Sequence, residues 1–155
     1  FNMPLNNLPD TLESLTIQCN SFDQPINQLP KTLKKLMLVS HSFNQKVNKL
    51  PNKLETLVIS HNTSFNQELN NLPETLMGLE IFMCKVFDKS LDNLPKQLQL
   101  LEICGCQNFN QSLNMLPKKL ESLKVTYCQS FKQTINTFPN SLECYDNGIQ
   151  LRILY

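Results

Sequence analysis

A phenylalanine recurs along this chain at almost constant spacing, and the recurrence limits the fold more than any other feature. The copies stand at Phe1, Phe22, Phe43, Phe65, Phe87, Phe109 and Phe131, and the first two steps are shorter by one than the later four. A column of prolines, running from Pro9 to Pro139, keeps the same period. Two packed helices need about 33 residues and a four-stranded propeller blade about 40. A period of about 22 residues therefore predicts one short strand and a compact return in each copy.

Within the first six copies a segment L-x-x-L-x-[ILV] follows the proline, as in Leu76, Leu79 and Ile81. The alternation of its last two apolar residues predicts a strand with one side facing the interior. About seven residues separate phenylalanine from proline, and proline lacks a backbone donor, so the return is too short for a long α-helix. We expect a solenoid with a parallel sheet on its concave face, a short 3₁₀ turn or an extended path on the convex side, and little α-helix.

The full repeat reads F-[ND]-Q-x-[LIV]-N-x-L-P-x-x-L-x-x-L-x-[IL], for example Phe65-Asn66-Gln67 followed by Leu72-Pro73. This pattern resembles the leucine-rich repeat and, more specifically, the FNIP repeat of amoebae and large DNA viruses. Proteins of that family often join these repeats to an F-box. The resemblance therefore implies that the chain is the substrate-recognition part of an F-box-type ubiquitin ligase. It also implies ubiquitin-ligase components as partners, recruited through an F-box. These residues themselves contain no F-box.

The repeats divide the chain into seven copies over residues 1–145, beginning at positions 1, 22, 43, 65, 87, 109 and 131. Residues 146–155 are predicted to form a capping turn and strand. Asp146-Asn147-Gly148 suits a tight hairpin turn, and Ile149, Leu151 and Ile153 alternate as a strand does. Because the chain opens with Phe1 on a repeat boundary, we expect it to be a fragment of a longer chain whose upstream part or partner covers the first coil.

A column of small polar residues and cysteines follows the strands, three positions beyond the last interior aliphatic. We expect these side chains to point inward and to bond the backbone where it bends; they are Asn20, His41, Asn62, Cys84, Cys106 and Cys128. Three cysteines in one row cannot all pair, so they are interpreted as reduced structural thiols. Free thiols favour a reducing compartment, the cytoplasm.

Composition and motifs exclude several functions. Charged residues are 17% of the chain and the net charge is +1, so no field is expected to collect nucleic acid or a membrane surface. No apolar run is long enough to span a bilayer. Cys104-Gly105-Cys106 is not the C-x-x-C pair of a zinc site, and no phosphate-binding or catalytic motif occurs. We therefore expect no enzyme activity, metal or cofactor.

The outward residues of the predicted strands indicate a protein-binding face. An apolar patch is expected on neighbouring strands, with Phe82 as its aromatic anchor, formed by Met37, Val39, Val58, Phe82, Leu100 and Cys104. Two other interpretations stay open: tolerated sheet-forming residues, or a surface covered by another part of the chain. The sequence predicts a protein–protein interaction module that binds another protein on the concave face. The alternative is a structural protein that packs into a particle or oligomer.

Overall fold

The computed structural model of the chain describes residues 1–142, 144–146 and 151–153. The regular structure in these segments consists of strands alone, and neither an α-helix nor a 3₁₀-helix occurs in them. The strands are β1 (Ser14–Gln18), β2 (Lys35–Val39), β3 (Thr56–Ser60), β4 (Gly78–Phe82), β5 (Leu100–Cys104), β6 (Ser122–Thr126), β7 (Cys144–Asp146) and β8 (Leu151–Ile153). They form one sheet in chain order, which confirms the predicted solenoid.

Neighbouring strands from β1 to β7 are parallel, and each residue pairs with its equivalent in the next copy of the repeat. Leu36, for example, pairs with Leu57, and Leu57 pairs with Leu79. Parallel strands need a connection that carries the chain back to the same edge of the sheet. In this protein the stretches between strands, such as residues 19–34, provide that connection, so each copy of the repeat is one coil.

A turn after every proline directs the chain into the next strand. In each coil the leucine three positions after the proline donates its backbone N–H to the proline carbonyl, as Leu54 does to Pro51 at 3.0 Å and Leu98 to Pro95 at 3.1 Å. Proline cannot donate at this position, but its carbonyl is free to accept. Between phenylalanine and proline the backbone forms no helix, and the first five copies have one turn there. The predicted short 3₁₀ turn is therefore not found in the return.

The interior is a continuous column of phenylalanine rings beside columns of leucine and isoleucine. The rings from Phe22 to Phe109 have no exposed surface. Neighbouring rings have centroids 5.7–6.2 Å apart and planes within 3–15° of each other. This offset stacking contributes about 0.5–1.5 kcal/mol per pair beyond the burial of area. Each phenylalanine from Phe22 to Phe109 is therefore buried against two neighbours, and stability depends on stacking between coils.

The last coil ends in two short strands of opposite direction. β7 is parallel to β6, and β8 is antiparallel to β7, as in a hairpin. The sequence assigned Asp146 to the turn, but it belongs to β7, because its backbone pairs with Lys124 and Leu151. The predicted turn residues Asn147 and Gly148, and the predicted strand residue Ile149, lie outside the described residues.

Candidate protein-binding face

The outward side chains of β1–β6 form a surface of three rows, which we call the strand face. The parallel register aligns equivalent positions from strand to strand. The first row is Ser14, Lys35, Thr56, Gly78, Leu100 and Ser122; the second is Thr16, Met37, Val58, Glu80, Glu102 and Lys124; the third is Gln18, Val39, Ser60, Phe82, Cys104 and Thr126. Unlike the interior columns, no row keeps one residue type along the stack.

All six residues of the predicted apolar patch lie on the strand face, but they do not form one accessible surface. Met37, Val39, Phe82, Leu100 and Cys104 are partly exposed, whereas Val58 is only 3% exposed. Its side chain is short and lies between two longer neighbours on the adjoining strands. The inclusion of Val58 as an accessible residue was therefore wrong.

Two glutamates in the middle row divide the predicted patch. Glu80 and Glu102 are register partners on β4 and β5, and they separate Leu100 in the first row from Phe82 and Cys104 in the third. The prediction counted apolar residues without the charges between them. The apolar surface that remains continuous in the third row consists of Phe82 and Cys104, beside these two carboxylates.

The two carboxylates differ in their electrostatic surroundings. Lys124 Nζ lies 2.5 Å from Glu102 Oε1. Burial and the neighbouring Glu102 raise the pKa of Glu80, and Lys35 and Lys124 offset part of this effect. Like charges directly opposite in a sheet are destabilising. At the centre of the strand face, Glu102 therefore forms an ion pair with Lys124, whereas the two lysines act on Glu80 only at longer range.

A ledge that is exposed at three of its four residues adjoins the third row and was not predicted. The residue after the strand has a positive φ in four coils, and these residues, which we call the ledge, are His61, Met83, Gly105 and Tyr127. Met83 is 51% exposed and Tyr127 is 79% exposed. The sequence signal was available, since the ledge residue is the extra residue that makes these copies longer than the first two. Met83 adds exposed apolar area next to Phe82, and Tyr127 adds exposed aromatic area at the end of β6.

The same extra residue explains an error in the predicted inward ladder. Asn20 and His41 are exposed, and the inward positions of the first two coils belong to Cys19 and Ser40. The prediction counted forward from the strand, but the first two copies have no ledge residue, so their ladder comes one position earlier. Counting back three positions from the next phenylalanine gives the ladder in every coil.

The ladder residues bond backbone carbonyls in two ways. Cys19 Sγ, Ser40 Oγ and Asn62 Nδ2 each donate to the carbonyl of the phenylalanine that opens their own coil, at 3.0, 2.8 and 2.8 Å. Cys84, Cys106 and Cys128 instead contact the carbonyl of an interior isoleucine of the preceding coil, at 3.5–3.6 Å. The ladder thus satisfies backbone groups at the bend, as predicted for the last four of its residues.

Two thiols of the ladder, those of Cys106 and Cys128, are poorly suited to nucleophilic chemistry. A hydrogen bond with Cys128 lowers the pKa of Cys106, but contact with Cys84 and burial raise it to about 12 overall. A hydrogen bond with Cys106, together with burial, raises the pKa of Cys128. The thiolate is the reactive form of cysteine, and at neutral pH both groups keep their protons. Their geometry indicates a structural role.

A second ladder, on the outer side of the bend, was missed by the sequence reasoning. The Asn or Asp after each phenylalanine accepts, through Oδ1, the backbone N–H of the equivalent residue in the next coil. These bonds are 2.8–3.1 Å long and link Asn2, Asp23, Asn44, Asn66, Asp88, Asn110 and Lys132 in series. The following glutamine often adds a side-chain bond, as Gln45 does to Asp23 at 3.0 Å. The recurring [ND]-Q pair was the available signal.

Comparison with solved structures finds a protein of the giant virus CroV with the same architecture. The crystal structure of CroV588, described as a novel circular LRR protein structure, matches with a TM-score of 0.79 and 36% sequence identity. The match covers 94% of this chain and 22% of CroV588, so the chain spans about a fifth of that protein's length. No protein-family model and no curated protein matches the chain. The fold is therefore that of a leucine-rich-repeat solenoid, a class that is typically non-enzymatic.

Residues 1–142, together with the two short strand segments, hold no group of three or more His, Cys, Asp or Glu placed to share a metal ion. No helix in those same segments has the length and apolar character needed to cross a bilayer.

Proposed function

We propose that this chain is a protein-interaction module that binds another protein through the strand face and the adjoining ledge. The observation that supports this is the partly exposed Phe82, which lies beside the exposed Met83 and the partly exposed Cys104 on a regular sheet. Aromatic residues on a rigid support, with polar groups around them, are typical of the centres of protein interfaces. Leucine-rich-repeat solenoids offer such an extended binding surface along their sheets.

The proposal extends to the family and the setting suggested by the repeats. We propose that these are FNIP-type repeats of an amoebal or giant-virus protein that acts in the cytoplasm, where the thiol ladder stays reduced. In this view the strand face selects the protein to be modified, and an F-box elsewhere in the full-length protein recruits the ubiquitin ligase. Similarity to a protein of the giant virus CroV supports the source.

Substitution of Phe82 tests the interface. Tagged protein with Phe82→Ala is compared with wild type and with Thr16→Ala, a control on the same face but three strands away. Proteins retained from a host lysate are quantified by mass spectrometry, and the dissociation constant of each is then measured with purified components. We expect at least one partner that the Thr16→Ala protein still retains. The Phe82→Ala protein is expected to bind that partner more than about 30-fold less tightly, which corresponds to about 2 kcal/mol. Equal retention of every partner by Phe82→Ala would remove this assignment.

A structural role is the second candidate, and the described geometry of CroV588 favours it. That protein is described as circular, and a stack of coils joined by uninterrupted ladders is suited to an arc or ring. The full-length protein would then form a closed body or an assembly rather than capture a substrate. Sedimentation velocity on the full-length protein separates the structural role from the interaction role. A compact ring or a defined oligomer supports the structural role, provided that Phe82→Ala loses no protein partner.

A further inference from the structure

The outward positions of β4 place three unlike residues in one line. Gly78, Glu80 and Phe82 alternate along the strand and point to the same side, about 6.7 Å apart from one to the next. Every other strand from β1 to β6 has a side chain at the position of Gly78. The line therefore contains a gap, an acid and an aromatic ring.

Glu80 has no hydrogen bond or ion pair within the described part of the chain, although Lys35 and Lys124 act on it electrostatically. Glu102 beside it, in contrast, is held by Lys124 at 2.5 Å. Glu80 is partly buried between strands that carry Val58 and Glu102 at the same level. A carboxylate that is partly removed from water and faces a like charge gains from a cation supplied from outside.

The gap at Gly78 is narrow, since Gly78 is buried between the side chains of Thr56 and Leu100. A Cβ placed on Gly78 would lie 3.7 Å from Thr56 Cγ2, 3.8 Å from Thr56 Oγ1 and 3.9 Å from Leu100 Cδ2, which is ordinary van der Waals contact and leaves room for one methylene of a basic side chain. Lysine and arginine bury their methylene stems against apolar groups while their charged ends remain at a polar site. A stem lying over Gly78 would bring its charged end to Glu80.

Phe82 favours arginine over lysine as the group that reaches Glu80. A planar guanidinium can bond a carboxylate with two parallel N–H groups and also stack on an aromatic face, whereas an ammonium is a point charge without a planar surface. We propose that the strand face receives an arginine side chain of a protein partner, with its stem over Gly78, its guanidinium on Glu80 and its plane against Phe82. This inference rests on the proposed binding function and names the partner's chemistry at that site.

The test uses a small arginine compound, so it does not depend on knowing the partner. N-acetyl-arginine methylamide is titrated into the ¹⁵N-labelled chain and the amide shifts of Gly78, Glu80 and Phe82 are followed, with the citrulline and lysine analogues as comparisons. We expect saturable shifts at these amides with the arginine compound, and binding at least about tenfold weaker with citrulline, which has the same shape without the charge. Lysine is expected to fall between the two.

Two variants and a control identify the site. Glu80→Gln removes the charge at constant shape, and Gly78→Leu fills the gap with the residue that the next coil carries as Leu100, so it is compatible with the fold. Both are expected to abolish the selective shifts, whereas Glu121→Gln, an exposed acid outside the strand face, is expected to keep them. Equal binding of citrulline, or full binding by Glu80→Gln, would overturn the arginine inference. Lysine binding as tight as arginine would overturn the role of Phe82.

The arginine inference and the wider binding function fail in different ways. If Phe82→Ala loses a protein partner but the arginine compound gives no selective shifts, only the chemistry assigned to the partner is wrong. If neither result is obtained, the strand face is not a binding surface.

Discussion

The interior and the strand face of this solenoid are built from the same coils, yet only the interior repeats its residues. Phenylalanine fills one interior column from Phe22 to Phe109 without a change, whereas the third row of the strand face runs from Gln18 through Ser60 and Phe82 to Thr126. An interior position must match the coil above and the coil below at crystal-like packing density. An outward position has water on one side and is free of that demand. Residue variation along the stack therefore marks the positions that packing between coils does not determine.

The largest expected effect that tests this comparison is the loss of an interior phenylalanine. Phe65→Ala leaves a cavity and removes stacking with Phe43 and Phe87 at 6.1 and 5.9 Å. We expect the free energy of unfolding to fall by about 3–5 kcal/mol. Phe82→Ala, the same substitution on the strand face, is expected to cost less than about 1 kcal/mol. Urea unfolding followed by circular dichroism measures both, and equal losses would end the distinction between interior and face.

A smaller effect is expected in the ladder, where the structure corrected the sequence. Asn62 is 1% exposed, and its Oδ1 accepts the N–H groups of Ser64 and Phe65 at 2.7 and 2.6 Å. Asn62→Ala leaves these donors unpaired and is expected to cost about 2–4 kcal/mol. Asn20→Ala is the control at the position first assigned to the ladder, and it is exposed, so its cost is expected to stay within about 0.5 kcal/mol. A larger loss at Asn20 than at Asn62 would restore the original assignment.

The smallest effects come from two glycines, one on the strand face and one on the ledge. Gly105 has a φ of +68°, and a Cβ there would lie 2.6 Å from Met83 Sδ, so Gly105→Ala is expected to cost about 1–2 kcal/mol. Gly78 has ordinary strand geometry and room for a methyl group, so Gly78→Ala is expected to stabilise the protein by about 0.5–1 kcal/mol. Thermal unfolding of the two variants should shift in opposite directions. A shift of both in the same direction contradicts the account.

The parts of the structure that depend on period were predictable from the sequence. The recurrence of residues equivalent to Phe65, Leu79 and Ile81 determined the coil, the parallel register and the buried side of each strand, because stacked coils place equivalent residues side by side. The strand face was predictable in its position but not in its character. The burial of Val58 and the division of the patch by Glu80 and Glu102 depend on neighbours across strands, which a residue-by-residue count does not weigh.

The ladder shows a different limit of the sequence reasoning. The difference in length between the first two copies and the later ones was visible in the sequence. It did not reveal whether the extra residue comes before or after the ladder residue. The structure places it between strand and ladder, at His61, Met83, Gly105 and Tyr127. The outer Asn–Gln ladder was missed because each hydrogen bond joins two neighbouring coils. A motif within one copy shows the acceptor side chain but not the donor, which lies in the next copy.

Contacts between strands in solution test the central claim most directly, since both the interior columns and the strand face depend on the register. A nuclear Overhauser spectrum of the labelled chain should connect Leu15 with Leu36, Leu36 with Leu57, and Leu57 with Leu79, each pair being separated by one full coil. Cross peaks confined to near neighbours in the sequence, as in a helix, or absent between these leucines, would contradict the stacked coils and with them the binding surface.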